Sequence, residues 1–125
     1  MEINTAAFTT AAAQFYGEAV TLTHSTLTTL TGNNITFNDT LDGPQGLIVV
    51  DADVTTFVGA VGASVTAPGV TNTLASLDVT SANGTVFNGA KVYTSGAQSY
   101  ASPVQVGDTT TFAGSDISFA QTLTG

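Results

Sequence analysis

The sequence predicts an all-β fold: a parallel β-helix (β-solenoid) of about 20 residues per coil and roughly six coils, filling a single domain over 1–125. Three observations lead there. The composition favours strands, the chain resembles itself at two scales, and a short aromatic-to-aliphatic motif returns along its whole length.

Composition comes first. Thr, Ala and Gly supply 54 of 125 positions, as 24, 17 and 13 residues. Thr and Val suit strands, whereas many glycines with few Glu, Lys, Arg or Leu argue against long helices. Hydrophobic residues make up 42%, enough for a core and too many for a disordered chain. Nine acids face one base, Lys91, for a net charge of −8. One lysine cannot make the basic patch that displaces counterions from nucleic acid, and it cannot make a polybasic membrane anchor. The longest apolar run, Leu47-Ile48-Val49-Val50, is far too short for membrane insertion. With no cysteine, disulfides, thiolate metal sites and cysteine nucleophiles are excluded. The opening Met1-Glu2-Ile3-Asn4 has neither the basic nor the apolar region of a secretory signal, and reads like a piece of a longer repeat.

Self-similarity sets the organisation. Residues 47–60 and 77–90 are identical at seven of fourteen positions. Residues 32–43 and 114–125 agree at six of twelve, and Gln14, Tyr16 and Val20 reappear as Gln98, Tyr100 and Val104. The expected organisation is one and a half copies of an 84-residue unit, 1–84 and 85–125, with a loop insertion at 64–73.

Within that unit each coil is marked by an aromatic, three small or polar residues, and an aliphatic. In chain order the pairs are Tyr16 with Val20, Phe37 with Leu41, Phe57 with Val61, Tyr100 with Val104, and Phe119 with Leu123. Phe87 begins a variant whose aliphatic, Val92, arrives one residue late, and Ile3 occupies the corresponding place at the start. The seven anchors are spaced 13, 21, 20, 30, 13 and 19 residues apart. The 30-residue gap holds the insertion, in which Ser64, Pro68, Gly69 and Thr73 are the candidate binding-loop residues. The 13-residue gap reads as a short coil, with a different slot for Phe87 and Ile3 as the alternative.

A period near 20 is too short for helical-pair repeats and fits two or three short strands joined by corners. Each strand then pairs in parallel with its copy one coil away, at about 4.8 Å. Two residues past each aromatic stand Glu18, Asp39, Gly59, Gly89, Ser102 and Gln121. A straight strand would point these inward, so the chain bends there. The expectation is a ladder of Tyr16, Phe37, Phe57, Phe87, Tyr100 and Phe119 beside a second ladder of Val20, Leu41, Val61, Val104 and Leu123. A leucine-rich repeat needs leucines that these copies lack. A β-sandwich accommodates the strands but not the period.

Candidate chemistry is sparse. His24, the only histidine, lies in no nucleophile-elbow motif and aligns with Asp108, which suggests a polar corner. Asp39 with Asp42, or Asp51 with Asp53, could in principle pair as acid and base, but the acids are spread singly and read as solvated corners. Glu18 and Asp39 fall in equivalent slots of adjacent coils, where stacked like charges could recruit calcium weakly, with solvated corners as the favoured reading; no cofactor is expected. Asn33, Asn34, Asn38 and Asn88 suit coil-to-coil amide stacking. Thr-x-Thr recurs at 21–23, 26–28, 29–31, 71–73, 109–111 and 122–124, which raises an ice-binding hydroxyl ladder, but not at one phase of the coil.

Four stretches carry a resemblance: Phe57-Val58-Gly59-Ala60-Val61-Gly62, Leu74-Ala75-Ser76-Leu77-Asp78-Val79-Thr80, Ser95-Gly96-Ala97-Gln98-Ser99-Tyr100 and Val106-Gly107-Asp108-Thr109-Thr110-Thr111. They are similar to the repeats of large bacterial filamentous-haemagglutinin-like exoproteins. The resemblance spans nearly the whole chain. It implies a right-handed coil, export to the bacterial cell surface, and a role in an adhesin shaft or extracellular fibre. The crossover preference of parallel strands points to the same hand. A non-enzymatic structural role is therefore expected, with copies of itself stacked head to tail, or neighbouring repeats, as partners. The alternative is an adhesive module that takes a glycan or host receptor on the 64–73 loop.

Overall fold

The computed structural model describes residues 1–63, 65–67, 70–71, 73–107 and 109–125. Among them there is no helix, and so none long and apolar enough to cross a membrane. The chain winds through six coils of short strands. The first coil holds β1 (Glu2–Ile3), β2 (Ala7–Thr9) and β3 (Gln14–Tyr16), and the second β4 (Val20–Leu22), β5 (Thr28–Gly32) and β6 (Ile35–Phe37). The third holds β7 (Leu41–Asp42), β8 (Leu47–Asp51) and β9 (Thr55–Phe57). An antiparallel pair, β10 (Val65–Ala67) and β11 (Val70–Thr71), interrupts the fourth, which resumes with β12 (Leu77–Ser81) and β13 (Thr85–Phe87). The fifth has β14 (Lys91–Tyr93), β15 (Ala97–Tyr100) and β16 (Val104–Val106), and the sixth β17 (Thr111–Ala113), β18 (Asp116–Phe119) and β19 (Leu123–Thr124).

These strands build three parallel faces. The second face runs β2-β5-β8-β12-β15-β18 and the third β3-β6-β9-β13-β16-β19. The first face joins β1-β4-β7 to β14-β17 through Val61, which bridges both Leu41 and Val92. This is a β-solenoid with a repeat of about 20 residues, as the period implies.

Strand alternation explains the core. In β5 and β8 the residues Leu30, Leu47 and Val49 point in and are fully buried, while Thr29, Ile48 and Val50 face out. Inward residues from the three faces make one apolar column of side chains. Coil-to-coil bonding continues through a corner as well: the backbone N–H groups of Asn38, Val58, Asn88 and Gly107 donate to Tyr16, Phe37, Phe57 and Phe87, at 2.8–2.9 Å. Glycine permits close approach at that corner. A Cβ on Gly59 would meet the Asp39 backbone, and one on Gly89 would meet the Gly59 carbonyl.

Candidate functional site

If the chain's work is mechanical, its functional residues are those that hold coil on coil and those that its ends present. Four aromatics stack on the third face. Tyr16 and Phe37 lie 5.0 Å apart, Phe37 and Phe57 5.2 Å, and Phe57 and Phe87 4.9 Å, with interplanar angles of 13°, 3° and 9°. Tyr100 does not continue this column. Phe87 pairs with Val106, whereas Tyr100 pairs with Val79 on the second face and leads to Phe119. The Phe87 and Tyr100 rings meet edge to face at 85°, and Tyr100 stacks again on Phe119 at 5.2 Å.

The single aromatic ladder expected from the sequence is therefore two half-ladders on different faces. The aliphatic ladder divides in the same way. Val20, Leu41 and Val61 line the first face, which continues through Val92 to Phe112, while Val104 and Leu123 stack on the third face after Thr85. The 13-residue spacing has the same cause. Val79 to Tyr100 is a full coil of 21 residues, and Val79 to Phe87 spans 8 around one corner. The step from Phe87 to Tyr100 is thus one coil less one face. Ile3, on the first face opposite Leu22, makes the other such step to Tyr16. Phe112, which the anchor motif misses, packs edge to face on Phe87 and Phe119 at the change of face.

Among the described residues the buried polar side chains are paired, apart from Thr23 Oγ1, which has no hydrogen-bond partner. Gln14 and Tyr16, two apart on one strand, share its inner face. The Tyr16 hydroxyl donates to Gln14 Oε1 at 2.7 Å, and Gln14 Nε2 donates to the Thr31 carbonyl at 2.9 Å. Gln98 and Tyr100 repeat this on the second face, with Nε2 donating to the Val92 and Ala113 carbonyls. Burial raises both phenols above the ordinary tyrosine value, Tyr100 the further of the two, and keeps them neutral donors.

Asp51 departs from the solvated corner that the sequence suggests. It is 4% exposed, and its carboxylate accepts from Asn34 N and Asp53 N on Oδ1 and from Ile35 N and Thr55 Oγ1 on Oδ2, at 2.7–2.9 Å. Asn34 takes φ 74° to present its N–H, a conformation asparagine tolerates. Thr55 Oγ1 lies 2.6 Å from Ser81 Oγ, and Ser81 N donates to Ser102 Oγ, so the network crosses successive coils. Asp42 is also buried, at 5%.

Other candidates disperse. Asp39 is exposed and accepts from Thr40 N, while Asp53 accepts from Asn83 Nδ2 at 2.8 Å. Asp51 is committed to structure, so Asp51 and Asp53 form no open carboxylate pair. Glu18 and Asp39 do occupy equivalent corner positions, but no group of three or more metal-ligating side chains occurs among the described residues. His24 Nδ1 sits 3.3 Å from Asn4 Oδ1. Val58 lies between Asn38 and Asn88 in their corner column, which interrupts an amide stack. Thr29 and Thr31 face outward together, yet their neighbours one coil on are Ile48 and Val50, so no Thr-x-Thr array builds up on that face.

Of the insertion, β10 and β11 form an antiparallel pair between Val61 and Leu74, and Thr73 sits beside Gly43. Ser64, Pro68 and Gly69 lie outside the described residues, as does Asp108.

The ends differ from the middle. Among the described residues, β1, β2 and β3 have no strand on their outer side, and neither do β17, β18 and β19. Column members that are fully buried inside the stack become half-exposed there: Phe8 is 48% exposed against 0% for Leu30, and Leu123 48% against 1% for Val104. At the amino-terminal end Met1, Ile3, Phe8, Tyr16 and Leu30 line an apolar hollow of about 190 Å³. Compared with known proteins, the chain matches no protein-family model, no curated protein and no solved structure.

Proposed function

We propose that this chain is a non-enzymatic structural element: a stiff shaft or fibre segment of an extracellular, surface-displayed bacterial exoprotein. The observation that carries the reading is the parallel pairing of coil on coil from β2 to β18 and from β3 to β19, with open edges and half-exposed core residues at both ends. Such a stack extends by adding identical nearest-neighbour contacts, so length comes without a larger core. Surface display rests on the sequence resemblance to filamentous-haemagglutinin-like repeats. Partners under this reading are neighbouring repeats or further copies of the chain. The test is negative-stain microscopy of the purified chain with far-UV circular dichroism. Rods or unbranched filaments one solenoid wide with a β spectrum support it, and compact particles or a disordered spectrum overturn it.

A second reading is favoured by one observation, the β10–β11 excursion from the first face. It makes the chain an adhesive module that presents residues 64–73 to a glycan or host receptor. Deleting 64–73 separates the two, since rods survive under the first reading and glycan-array binding is lost only under the second.

A further inference from the structure

We propose that two copies join head to tail in one fixed register, with Phe112 and Phe119 of one copy continuing onto Met1 and Phe8 of the next. This rests on the fibre reading above and specifies its junction. The columns of each face define the register. Met1 precedes β1 and so heads the first-face column Val20, Leu41, Val61, Val92 and Phe112, while Phe8 heads the second-face column Leu30, Val49, Val79, Tyr100 and Phe119. Seven residues separate Met1 from Phe8, and seven separate Phe112 from Phe119. The inner coils differ: Val20 to Leu30 is ten, and Leu41 to Val49 and Val92 to Tyr100 are eight. First and last coils therefore match each other on these two faces better than either matches an inner one.

Shape and charge agree with that register. The hollow at one end is rimmed by Met1 and Phe8, and at the other end the residues in line with them are two rings packed edge to face at 5.4 Å. On the third face Leu123 meets Gln14 and Gly125 meets Tyr16, where a glycine leaves room for the ring. The acids avoid one another: Asp116 falls opposite Thr5 and Glu2 opposite Ala113. Direction is fixed as well. Head-to-tail joining keeps the three faces in the same order around the axis. Joining like ends reverses that order, so at most one face meets its own counterpart and the matched Met1–Phe112 and Phe8–Phe119 columns are lost. The contact is heterologous and does not close, which gives filaments.

The chain has no cysteine, so crosslinking reads the register directly. Ala7 and Ser118 face outward, both are exposed, and the register places them opposite each other across the junction. Adjacent strands lie about 4.8 Å apart, within the Cα separation of about 4.4–6.8 Å that a disulfide accepts. The full-length A7C/S118C variant, mildly oxidised, should give a ladder of disulfide-linked multimers. Neither single variant should build one, and A7C/D116C, two residues out of register, should crosslink at least about tenfold more slowly. Thr5→Asp should raise the concentration needed for assembly several-fold, and adding Asp116→Lys should restore it. Because each copy carries −8, assembly should be faster in high salt than in low. Efficient dimers from A7C alone, or equal ladders from A7C/D116C, overturn the register. Rods in the micrographs without a ladder overturn the junction and leave the shaft reading intact. A sample without β-rich rods removes both.

Discussion

Replacing Asp51 by alanine should be among the most damaging single changes in the chain. The carboxylate is 4% exposed and accepts four hydrogen bonds. Bonds to a charged group contribute about 1.5–3 kcal/mol each, and a buried donor left alone costs about 1–3 kcal/mol. Those figures do not simply add here. Asn34 N and Asp53 N are part-buried and can reach water, and the Thr55 hydroxyl can turn to Ser81 Oγ, 2.6 Å away. Ile35 N is buried and has no such route. With the space left by the carboxylate included, Asp51→Ala should cost about 3–5 kcal/mol. That is a large share of the roughly 5–15 kcal/mol that holds a domain together. Asp51→Asn keeps the shape. With its Nδ2 in place of Oδ2, Thr55 can accept from the amide while donating to Ser81, and only the Ile35 N–H is stranded, at about 1–3 kcal/mol. Urea denaturation followed by circular dichroism measures both, with Asp39→Ala as the exposed control. At roughly 3–6 °C per kcal/mol, the alanine variant should also melt about 9–30 °C lower. If Asp51→Ala fell within about 1 kcal/mol of the parent, the claim that this network holds the corner together would be refuted.

Three further outcomes follow from the same geometry. Phe57→Ala removes a fully buried ring stacked on both sides and should cost about 3–5 kcal/mol, whereas Phe119→Ala, partly exposed in the last coil, should cost less than half of that in the same urea titration. Gly89→Ala drives a methyl into the Gly59 carbonyl of the coil before it and should cost about 1–3 kcal/mol, while Gly17→Ala, with open space around it, should be neutral on thermal melting. The phenols of Tyr16 and Tyr100 ionise less readily folded than unfolded, so their contribution is complete below the ordinary tyrosine value of 10.0 and is lost as pH rises beyond it. Stability measured across that range should fall, and Tyr100→Phe should flatten the fall; a Tyr100→Phe slope equal to the parent's would remove Tyr100 as its cause.

The sequence made the period legible because the residues that carry it are large and rare. Tyr16, Phe37, Phe57 and Phe87 stand out among Thr, Ala and Gly, and the alignment of 47–60 with 77–90 is the register of β8 on β12 and of β9 on β13. Asp51 was not legible in this way. An acid between Val50 and Ala52 looks the same whether it caps a corner inward or meets water. What distinguishes it is Asn34 presenting its N–H at φ 74° a coil away, together with Thr55 four residues on, and neither forms a contiguous motif. The Gln14/Tyr16 and Gln98/Tyr100 copies misled in the other direction. The same inward pair makes the same clamp on two different faces, so local identity did not report position around the coil.

That change of face has a physical origin in the corner between the second and third faces. In the third and fourth coils this corner is long and polar: six residues separate Val49 from Thr55, and six separate Val79 from Thr85, with Asp51 and Ser81 buried between them. In the fifth coil the chain needs only four, from Tyr100 to Val104, and in the sixth only four, from Phe119 to Leu123. Ser102 marks the transition, because its hydroxyl accepts from Ser81 N at 2.8 Å and satisfies the last donor of the network from the coil beyond. Once the polar chain is closed, nothing at the next corner has to be solvated by side chains, and a tight apolar turn is admissible. The aromatic-to-aliphatic step, which served the corner between the third and first faces up to Phe57, can then serve this one. With three parallel faces of similar width, a motif that fits one tight corner fits another. The location of buried polar groups, and not the aromatic spacing, decides which corner it occupies.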